Sequence, residues 1–408
     1  MSFDVTVIGA GASGATVAME LATRGAKVRL LDSGPDLGAG CSWANAGLLS
    51  PSHVEPLTTP KNIALGVQNL FSASGVFSIL PTPTLAPWIA RFLAASTPQR
   101  AEHGTAVLQG MARQSIELHK QYVADGVATG LQESGSLDLY SADNPPAGES
   151  VRVGDLEPSL AWDGPGVVHS EDVFLDSRIY LHGVLDRCAE LGVEIRWNTD
   201  VRGFLRDGGG TVRALDVGDD LLTSDTFVIA AGNGATALGR SAGVTLPVVG
   251  ARGYVVDVAT EGPVPSRPVT IKPAKVVLTP YADRLRICGT LELGFANPRP
   301  SRFALVRDAG MAVLPDTRIT DVREEWTGLR PCLPDGVPAI GVSERQPNIA
   351  VAAGPGMWGM VLAPITGRLL AQQLSGEDAE IPELLHPDRF SGGPVPSKLR
   401  RKLPSRLH

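Results

Sequence analysis

The first residues with an evident chemical use are three glycines near the start of the chain. Gly9, Gly11 and Gly14 stand in GAGASG, between the apolar segment FDVTVIG and a stretch with helical spacing. In a strand–turn–helix of this kind, the first glycine permits a tight turn, the second lets a pyrophosphate approach the backbone, and the third lets helix and strand pack closely. The spacing therefore predicts a dinucleotide-binding turn.

The residues around these glycines complete the predicted nucleotide site. Ala12 and Ser13 begin the helix, whose free N–H groups and positive dipole end attract an anion. Asp32 ends the next predicted strand, where an acidic residue binds ribose hydroxyls, and Ser33 follows it. Arg29 lies inside that strand rather than after Asp32, so nothing favours a 2′-phosphate.

Two later segments favour a flavin over a nicotinamide. TFVIAAGNGA ends a predicted strand at Ala231 and Gly232, which are small enough for the backbone to pass close to a cofactor. AAGPGMWGM puts a glycine-rich turn before the last predicted helix. The backbone N–H groups and helix dipole there suit the edge of a reduced flavin, which is anionic at N1–C2=O, whereas a nicotinamide has no such edge. The candidate residues of this turn are Gly356, Met357, Trp358, Gly359 and Met360.

The elements that position these residues form two groups. FDVTVIG, SGATVAMELATRG and AKVRLLD predict a βαβ unit in a parallel, buried sheet, and residues 98–124 predict a long helix with one apolar face. Between about residues 250 and 300 the pattern changes to strands alone, which predicts an antiparallel sheet. We expect an α+β protein with a discontinuous Rossmann-like FAD-binding domain and an inserted antiparallel-sheet substrate domain. The predicted FAD-binding segments are 1–80, 151–245 and 325–390, the substrate-binding segments are 81–150 and 246–324, and 391–408 is a basic tail.

Composition limits the classes of function. The 408 residues are 43% hydrophobic and 19% charged, with a formal net charge of −7, which argues against a broad nucleic-acid surface. No apolar run is long enough to cross a bilayer, and MSFDVTVIGAG has the pattern of a strand rather than a signal peptide, so we expect a cytoplasmic protein. The tail SKLRRKLPSRLH is interpreted either as a solvated end or as a weak peripheral contact with the inner face of a membrane. The segment APWIARFLAA could also rest on a membrane.

Histidine and cysteine spacing argues against a metal centre. The seven histidines form no H-E-x-x-H or similar cluster, and the four cysteines are scattered without C-x-x-C. We therefore expect no metal, and buried, reduced thiols.

Several segments in order resemble the glycine-oxidase and D-amino-acid dehydrogenase family of FAD-dependent oxidoreductases. The layout is particularly similar to that of glyphosate-oxidoreductase-like members, and the resemblance covers nearly the whole chain apart from the basic tail. The segments that carry it are VIGAGASGATVAMELATRG, SWANAGLLSP, LAPWIARFL, ARGYVVDV, RICGTLELGF, GLRPCLPDGVPAIG and GPGMWGMVLAPITGRLLAQQLSG.

The resemblance implies a use for CSWANAGLLSPSHVEP, residues 41–56. Its first half would run along the ribityl chain and ring of the flavin, where small residues are needed because a bulky side chain would take the place of the ring. LLSPSHVEP would then approach the substrate cavity and bring His53 and Glu55 within reach, with ordinary polar loop residues as the alternative. The implied cofactor residues are Ser42, Asn45, Ala46, Gly47 and Leu48, and further along the chain Val201, Gly328 and Leu329.

Three further residues acquire roles by the same resemblance. Arg330 aligns with the arginine that binds the substrate carboxylate, and its planar fork suits two parallel charge-assisted hydrogen bonds. A structural salt bridge is the alternative for Arg330. Tyr254 aligns with a position that often faces substrate, with core packing as the alternative, and Glu292 lies in a strand that relatives have near the ring.

The sequence also departs from the family pattern. Relatives usually have Gly-His in the last glycine-rich turn, whereas this chain has Gly354-Pro355, which removes one backbone N–H and any histidine contact. Some relatives attach FAD through a cysteine or histidine, and the matching positions here fall near Gly328 and Ala44. Because Cys332 is offset from the first position, we expect non-covalent FAD.

The resemblance implies oxidation of a small amino acid by hydride transfer from the α-carbon to flavin N5, followed by hydrolysis of the imino acid. We expect Arg330, Tyr254 and His53 to act on the substrate. A D-amino acid or a cyclic imino acid such as D-proline or hydroxyproline is favoured, with a quinone or dye as electron acceptor. The alternatives are an O₂-using oxidase of glycine, sarcosine or another N-substituted amine, and a flavin-binding subunit that is inactive without partners.

Overall fold

The computed structural model describes residues 3–60, 62–63, 77–295 and 297–392. The segment SKLRRKLPSRLH, which was predicted to be a solvated end or a membrane contact, lies outside the described residues. The helices are α1 (Ala12–Thr23), α2 (Ala86–Ala95), α3 (Pro98–Ala124), α4 (Val153–Leu156), α5 (Ser177–Glu190), α6 (Ala235–Ala242), α7 (Ser301–Met311) and α8 (Gly359–Ser375). The strands in the first half of the chain are β1 (Asp4–Ile8), β2 (Lys27–Leu31), β3 (Leu48–Leu49), β4 (Phe77–Ile79), β5 (Ser136–Leu139), β6 (Val151–Arg152), β7 (Pro165–His169), β8 (Val173–Phe174) and β9 (Glu194–Arg196). Those in the second half are β10 (Gly203–Arg206), β11 (Val212–Asp216), β12 (Leu221–Leu222), β13 (Thr226–Ile229), β14 (Val249–Glu261), β15 (Val269–Ile271), β16 (Val276–Pro280), β17 (Leu285–Leu293), β18 (Arg318–Cys332), β19 (Ala339–Val342) and β20 (Ile349–Ala353).

The first large sheet has six strands in the order β19-β20-β13-β1-β2-β9. All neighbours in it are parallel except β19 and β20, and β1 is central with register Val7↔Leu30 and Val7↔Val228. Four of the five residues of β1 are buried, as expected for a strand covered on both faces. The predicted βαβ opening is confirmed.

The second large sheet has nine strands in the order β18-β14-β17-β16-β15-β5-β7-β6, with β4 also paired to β17. The pairs β18–β14–β17–β16–β15 are all antiparallel, as the sequence predicted for this region. Together the two sheets confirm the α+β fold class.

Helix α3 connects the two parts of the molecule. Leu108, Met111 and Tyr122 on it are buried in the same apolar cluster as β1 and α1, and Leu118 packs against that cluster. The predicted apolar face of this helix is therefore correct, but it covers the parallel sheet rather than the antiparallel one.

The sheet pairing differs from the predicted segment boundaries at three further places. Strand β4 pairs with β17 in the nine-stranded sheet, although 1–80 was assigned to the FAD-binding part. Strands β6 and β7 belong to the nine-stranded sheet, although 151–245 was assigned to the FAD-binding part. The boundary between residues 324 and 325 falls inside β18, which is one continuous strand. Short strands without long apolar runs carry little sequence signal of which sheet they join, so the division into two domains stays our proposal.

Helix α2 packs against the nine-stranded sheet. Its Trp88 and Phe92 are buried beside Ala251 and Leu293, which leaves Leu93 as its large exposed apolar residue. Trp88 and Phe92 are therefore not available on the surface of this helix, which we expected could rest on a membrane. Among the described residues, no helix is both long and apolar enough to cross a bilayer.

Candidate active site

A cavity of about 1320 Å³ lies where the carboxyl ends of the parallel strands meet one face of the nine-stranded sheet. Ile8, Leu31 and Ala353 line it from the first sheet, and Val255 and Cys288 line it from the second. Ligands of open α/β sheets bind at the carboxyl ends of the strands. The volume exceeds the roughly 300–1,000 Å³ of ordinary small-molecule pockets, so it has room for a dinucleotide and a substrate together.

The predicted dinucleotide turn has the required geometry. Gly9 has φ +106°, and a Cβ there would lie 2.4 Å from the Ala230 carbonyl oxygen, so only glycine fits. Gly14 does not line the cavity: a Cβ on it would lie 1.8 Å from the Gly9 carbonyl oxygen, which makes it the glycine of close helix–strand packing. Gly11, Ala12 and Ser13 line the cavity at the start of α1, where the first N–H groups of a helix have no intrahelical acceptor.

Two hydrogen-bonded side chains stabilise this turn. Asp32 accepts from the N–H groups of Ala10 at 2.7 Å and Gly34 at 2.8 Å, and it lines the cavity with Ser33. Each carboxylate oxygen has a second lone-pair site, which remains for a hydroxyl donor. Ser42 Oγ accepts from the Ala12 N–H at 3.1 Å and so ties the following loop to the helix start.

Most of the small-residue segment also lines the cavity. Ser42, Asn45, Ala46 and Leu48 do so, whereas Gly47 stands behind the wall. Gly47 has φ +75°, and a Cβ there would lie 2.1 Å from the Leu175 carbonyl oxygen. Gly47 is therefore needed for the turn of this segment rather than for a surface that touches a ligand.

The remaining predicted cofactor residues converge on the same cavity from four other segments. Asn233, in the turn after β13, lines it too; its Nδ2 donates to the Leu329 carbonyl, and its buried Oδ1 has no partner among the described residues. Pro355 precedes a short 3₁₀ turn, Gly356–Trp358, and α8 then begins at Gly359. The predicted residues that line the cavity from these segments are Val201, Ala231, Gly232, Gly328, Leu329, Gly356, Met357, Trp358, Gly359 and Met360.

These features fit FAD. The glycine turn and helix start suit the pyrophosphate, Asp32 suits the ribose, and Asn233, a residue of the cavity wall, has a buried side-chain oxygen without a partner among the described residues. Loss of the Pro355 N–H leaves the N–H groups of Gly356, Met357 and Gly359 for the flavin edge. Burial raises the pKa of Cys332 to about 12, which leaves its thiol neutral and unreactive toward a covalent bond.

Arg330 lies on β18 and lines the cavity. Its guanidinium lies over Gly253, where a Cβ would come within 2.0 Å of Nη1, and that nitrogen donates to the Thr290 carbonyl at 3.2 Å. Thr290 has φ +62° and lies where two residues of β17, Thr290 and Leu291, oppose Gly253 alone. No aspartate or glutamate of the described ranges lies within ion-pair distance of Arg330. The alternative role of Arg330, a structural salt bridge, therefore has no acidic partner there.

Tyr254 and Glu292 are not brought to the cavity. The Tyr254 side chain is fully buried, donates to Glu292 Oε2 at 2.8 Å and accepts from the Arg299 N–H at 2.9 Å. Glu292 also pairs with Arg299 and Arg302. Tyr254 therefore packs in the core, the alternative stated above, because side chains alternate along β14: Val256 and Val258 share its core face, and Gly253 and Val255 lie on the cavity face.

His53 lines the cavity and belongs to a polar cluster that the sequence did not reveal. A single oxygen of the buried Asp138, Oδ2, contacts His53 Nε2 at 2.8 Å, His169 Nε2 at 3.1 Å and Lys272 Nζ at 2.8 Å. We call these four residues the Asp138 cluster. Burial by itself would raise the pKa of Asp138, but the two histidines and Lys272 hold it well below its usual range. Its hydrogen bond to Asp138, opposed by burial, raises the pKa of His169.

Three members of this cluster have metal-ligand proximity: a ring nitrogen of each histidine and a carboxylate oxygen of Asp138 lie within 4.8 Å of one another. Chain folding thus gathers histidines that are far apart in sequence. The Lys272 ammonium binds the same Asp138 oxygen, however, so a metal cation there would meet a like charge at short range. The cluster suits a negatively charged or hydrogen-bonding group better than a cation.

Alternation of apolar and polar residues is the sequence signal that could have indicated Asp138, Thr270 and Lys272 as cavity-facing residues. In SLDL the flanking leucines are core residues, and in VTIK the valine and isoleucine are core residues of the same cluster. Alternation places the polar residues between them on the opposite face of the sheet, toward the cavity. Sequence spacing does not indicate that β5 and β15 are neighbours, so the cluster itself was not predictable.

Comparisons with known proteins agree with this geometry. The family model described as FAD dependent oxidoreductase matches residues 4–373. A D-amino acid dehydrogenase of Paramagnetospirillum magneticum is 30% identical over 95% of this chain and 99% of its own, and one of Methylobacterium radiotolerans is 31% identical over 92% and 97%. Glycine oxidase from Geobacillus kaustophilus has a similar structure, with a TM-score of 0.72 and 22% identity over 96% of this chain and 100% of that one. L-proline dehydrogenase from P. horikoshii has a TM-score of 0.69 and 18% identity over 95% and 98%.

Proposed function

The chain belongs to the FAD-dependent oxidoreductase family, and on that premise we propose that it oxidises the Cα–N bond of an amino acid. The observation that carries this proposal is Arg330, a cationic fork in the wall of the large cavity with no acidic partner among the described residues. An arginine in this setting suits a carboxylate ligand, which it binds through two parallel charge-assisted hydrogen bonds.

The chain's own residues would orient the substrate. Thr290 accepts one N–H of Arg330 and so fixes the direction of the guanidinium, while Gly253 leaves the space in which it lies. A carboxylate bound there holds the α-carbon at one point of the cavity, and orientation of this kind contributes much of the rate in transfer reactions. The apolar wall of Val255, Val277 and Trp326 excludes water beside it.

The cofactor is held by the turn after β1, Asp32, the 42–48 segment and the start of α8. FAD, when bound, supplies the acceptor for the hydride that leaves the α-carbon. The product, an imino acid, is then hydrolysed by water. The neutral thiol of Cys332 supports non-covalent attachment, so acid precipitation should release the yellow colour into the supernatant; colour kept in the pellet would contradict this.

A D-amino acid or a cyclic imino acid such as D-proline or hydroxyproline is the proposed substrate class, because the curated relatives that cover nearly the whole chain are named D-amino acid dehydrogenases. The same names support a quinone or dye as electron acceptor. Peroxide formed in air at a rate comparable to dye reduction would instead make the protein an oxidase.

Anaerobic bleaching of the flavin tests the proposal. The purified yellow protein is mixed with D-, L- and N-alkyl amino acids without oxygen, and absorbance near the flavin maximum is followed. At least one D-amino or cyclic imino acid should bleach it, and its decarboxylated amine should bleach it far more slowly. A protein that retains FAD but is bleached by no amino acid contradicts the proposed activity.

A further inference from the structure

Thr270 has a hydroxyl that the protein does not satisfy. The residue is only 8% exposed and lines the large cavity, and its Oγ1 has no hydrogen-bond partner among the described residues. It lies on β15 between Val269 and Ile271, both core residues, so alternation turns its side chain to the opposite face. A buried polar atom without a partner costs free energy unless a ligand or water binds it.

Two more hydrogen-bond donors line the cavity beside Thr270. Lys272 Nζ contacts Asp138 Oδ2 at 2.8 Å and His53 Nε2 at 3.4 Å, which leaves at least one N–H of its ammonium for a ligand. Its Nζ lies 5.7 Å from the centre of the Tyr140 ring. The Tyr140 hydroxyl has no partner in the part of the chain that the structure describes. An ammonium and two hydroxyls thus surround one end of the cavity.

This group of donors lies at a defined distance from Arg330. Arg330 donates to the carbonyl of Thr290 on β17, and Gly289, the residue before Thr290, pairs with Val276 on β16. Val276 in turn pairs with Ile271 on β15, the residue before Lys272. Lys272 leans toward β5, so its ammonium lies two to three strand spacings from Thr290, roughly 10–14 Å. With a hydrogen bond of about 2.8 Å at each end, roughly 4–9 Å remain between two acceptor oxygens.

The charge of the cavity also favours an anion with more than one negative group. Five arginines and lysines line it against three acidic residues. Of these, Asp32, Asp200 and Arg202 belong to the nucleotide end, which leaves Arg252, Lys272, Lys275 and Arg330 against Glu55 at the other. An α-carboxylate at Arg330 leaves the Lys272 ammonium, which also contacts Asp138, as a cation at a separate place in the cavity wall.

We propose that Lys272, Thr270 and Tyr140 form a second anion-binding subsite, and that the preferred substrate is an amino acid whose side chain or N-substituent ends in a second acidic group several bonds from the α-carbon. The inference rests on the proposed function, in which Arg330 binds the α-carboxylate. His53 and Asp138 act as positioning residues, because they hold the Lys272 ammonium at the cavity wall.

Binding of a non-oxidisable ligand tests the subsite independently of turnover. Calorimetry on the FAD-loaded protein compares glutarate with its monoamide, which has the same shape and one charge fewer. The wild type should bind glutarate at least about tenfold more tightly, since hydrogen bonds to charged groups are the stronger kind. Lys272→Met and the isosteric Thr270→Val should each reduce that ratio, and Lys27→Met, which removes the same charge from an exposed surface lysine, should leave it unchanged.

Turnover provides the second arm. The ratio of kcat/KM for glutamate over glutamine, measured for both enantiomers, should exceed about ten in the wild type and fall in Thr270→Val. The proposed subsite is wrong if both the binding ratio and the kcat/KM ratio of the wild type are near one. It is also wrong if Lys272→Met and Thr270→Val leave these ratios unchanged, even when neutral amino acids are oxidised. If no amino acid is oxidised but the glutarate preference follows Lys272 and Thr270, the subsite stands and the proposed function fails.

Discussion

At the scale of residues, the proposed binding of a carboxylate depends on the position of one guanidinium. The Arg330 guanidinium occupies the space that any side chain at position 253 would take, and the Thr290 carbonyl accepts one of its N–H groups. Arginine is a long and flexible residue, so its head group would be displaced without disruption of the fold. Position 253 therefore controls the guanidinium separately from the stability of the sheet.

We predict that Gly253→Ala folds and binds FAD normally but raises KM for the amino acid by about tenfold, because the added methyl group displaces Arg330 from its hydrogen bond. The measurements are the FAD-to-protein ratio and steady-state kinetics. Gly110→Ala is the matched control, since a Cβ there meets no atom within 4 Å. Unchanged KM in Gly253→Ala would show that the observed guanidinium position is not the one that binds substrate.

The Asp138 cluster predicts a pH-dependent stability. The pKa of His169 is raised by Asp138, so its stabilising contribution is fully present below the unfolded histidine pKa of about 6.5 and is lost as pH rises through the higher folded value. Asp138 stays ionised throughout because its pKa is depressed. His53, Lys272 and Asp172 are the other titratable groups near this ring.

His169→Gln should therefore lower Tm more at pH 6 than at pH 9, as measured by thermal unfolding in matched buffers. An equal loss of Tm at the two pH values would mean that the histidine acts through packing alone. A larger loss at pH 9 would contradict the direction of the pKa shift.

At the scale of elements, the start of α1 is the part of the fold most clearly built for the cofactor. Gly11 has an ordinary negative φ, and a Cβ there would approach only Ser42 Oγ, at 3.3 Å. A larger side chain at this position would fill the space for the pyrophosphate while the backbone stays unstrained. Gly14, in contrast, cannot be enlarged without separation of α1 from the sheet.

Gly11→Val should fold but purify with less than about a tenth of the FAD of the wild type, because the side chain blocks the anion from the helix start. Absorbance ratios report the FAD content, and unfolding of the FAD-free forms of both proteins should occur at similar temperatures. Normal FAD content in this variant would mean that the cofactor does not approach the turn.

Elements with a long local signal were predictable from sequence. The βαβ opening, α3 and the antiparallel region each extend over enough residues for hydrophobic periodicity to be read. The sheet to which β6 and β7 belong was not predictable, because strands of two and five residues carry little periodicity and their place depends on pairing with distant segments. Tyr254 has a different reason: alternation along β14 puts it on the core face with Val256 and Val258, and only the family resemblance had assigned it to the substrate.

At the scale of the whole molecule, one cavity joins two sheets that are built from interleaved parts of the chain. Most of the residues predicted to bind the cofactor line this cavity, and they were accessible to prediction because they lie in short contiguous motifs whose glycines have a stated geometric use. The Asp138 cluster was not predictable, because its members come from four segments that only the folded chain brings together. Residues that act through long-range pairing are thus the ones that sequence reasoning missed.

Because the parts of the chain interleave, the cofactor end and the substrate end of the cavity adjoin each other. Strand β18 carries Gly328 and Leu329 at the predicted flavin edge and Arg330 directly after them. A carboxylate bound at Arg330 is therefore held next to the cofactor by the covalent continuity of one strand.

The most direct test of the account is the rate of flavin reduction by an amino acid in Arg330 variants under anaerobic conditions. Truncation of one partner of a buried charge pair costs about 2–5 kcal/mol, so Arg330→Ala should reduce the second-order rate constant about thirtyfold or more, and Arg330→Lys, which lacks the fork, about tenfold. FAD content and visible spectrum should stay those of the wild type, and reduction by the decarboxylated amine should be unaffected. An Arg330→Ala protein that is reduced by the amino acid as fast as the wild type would contradict the account.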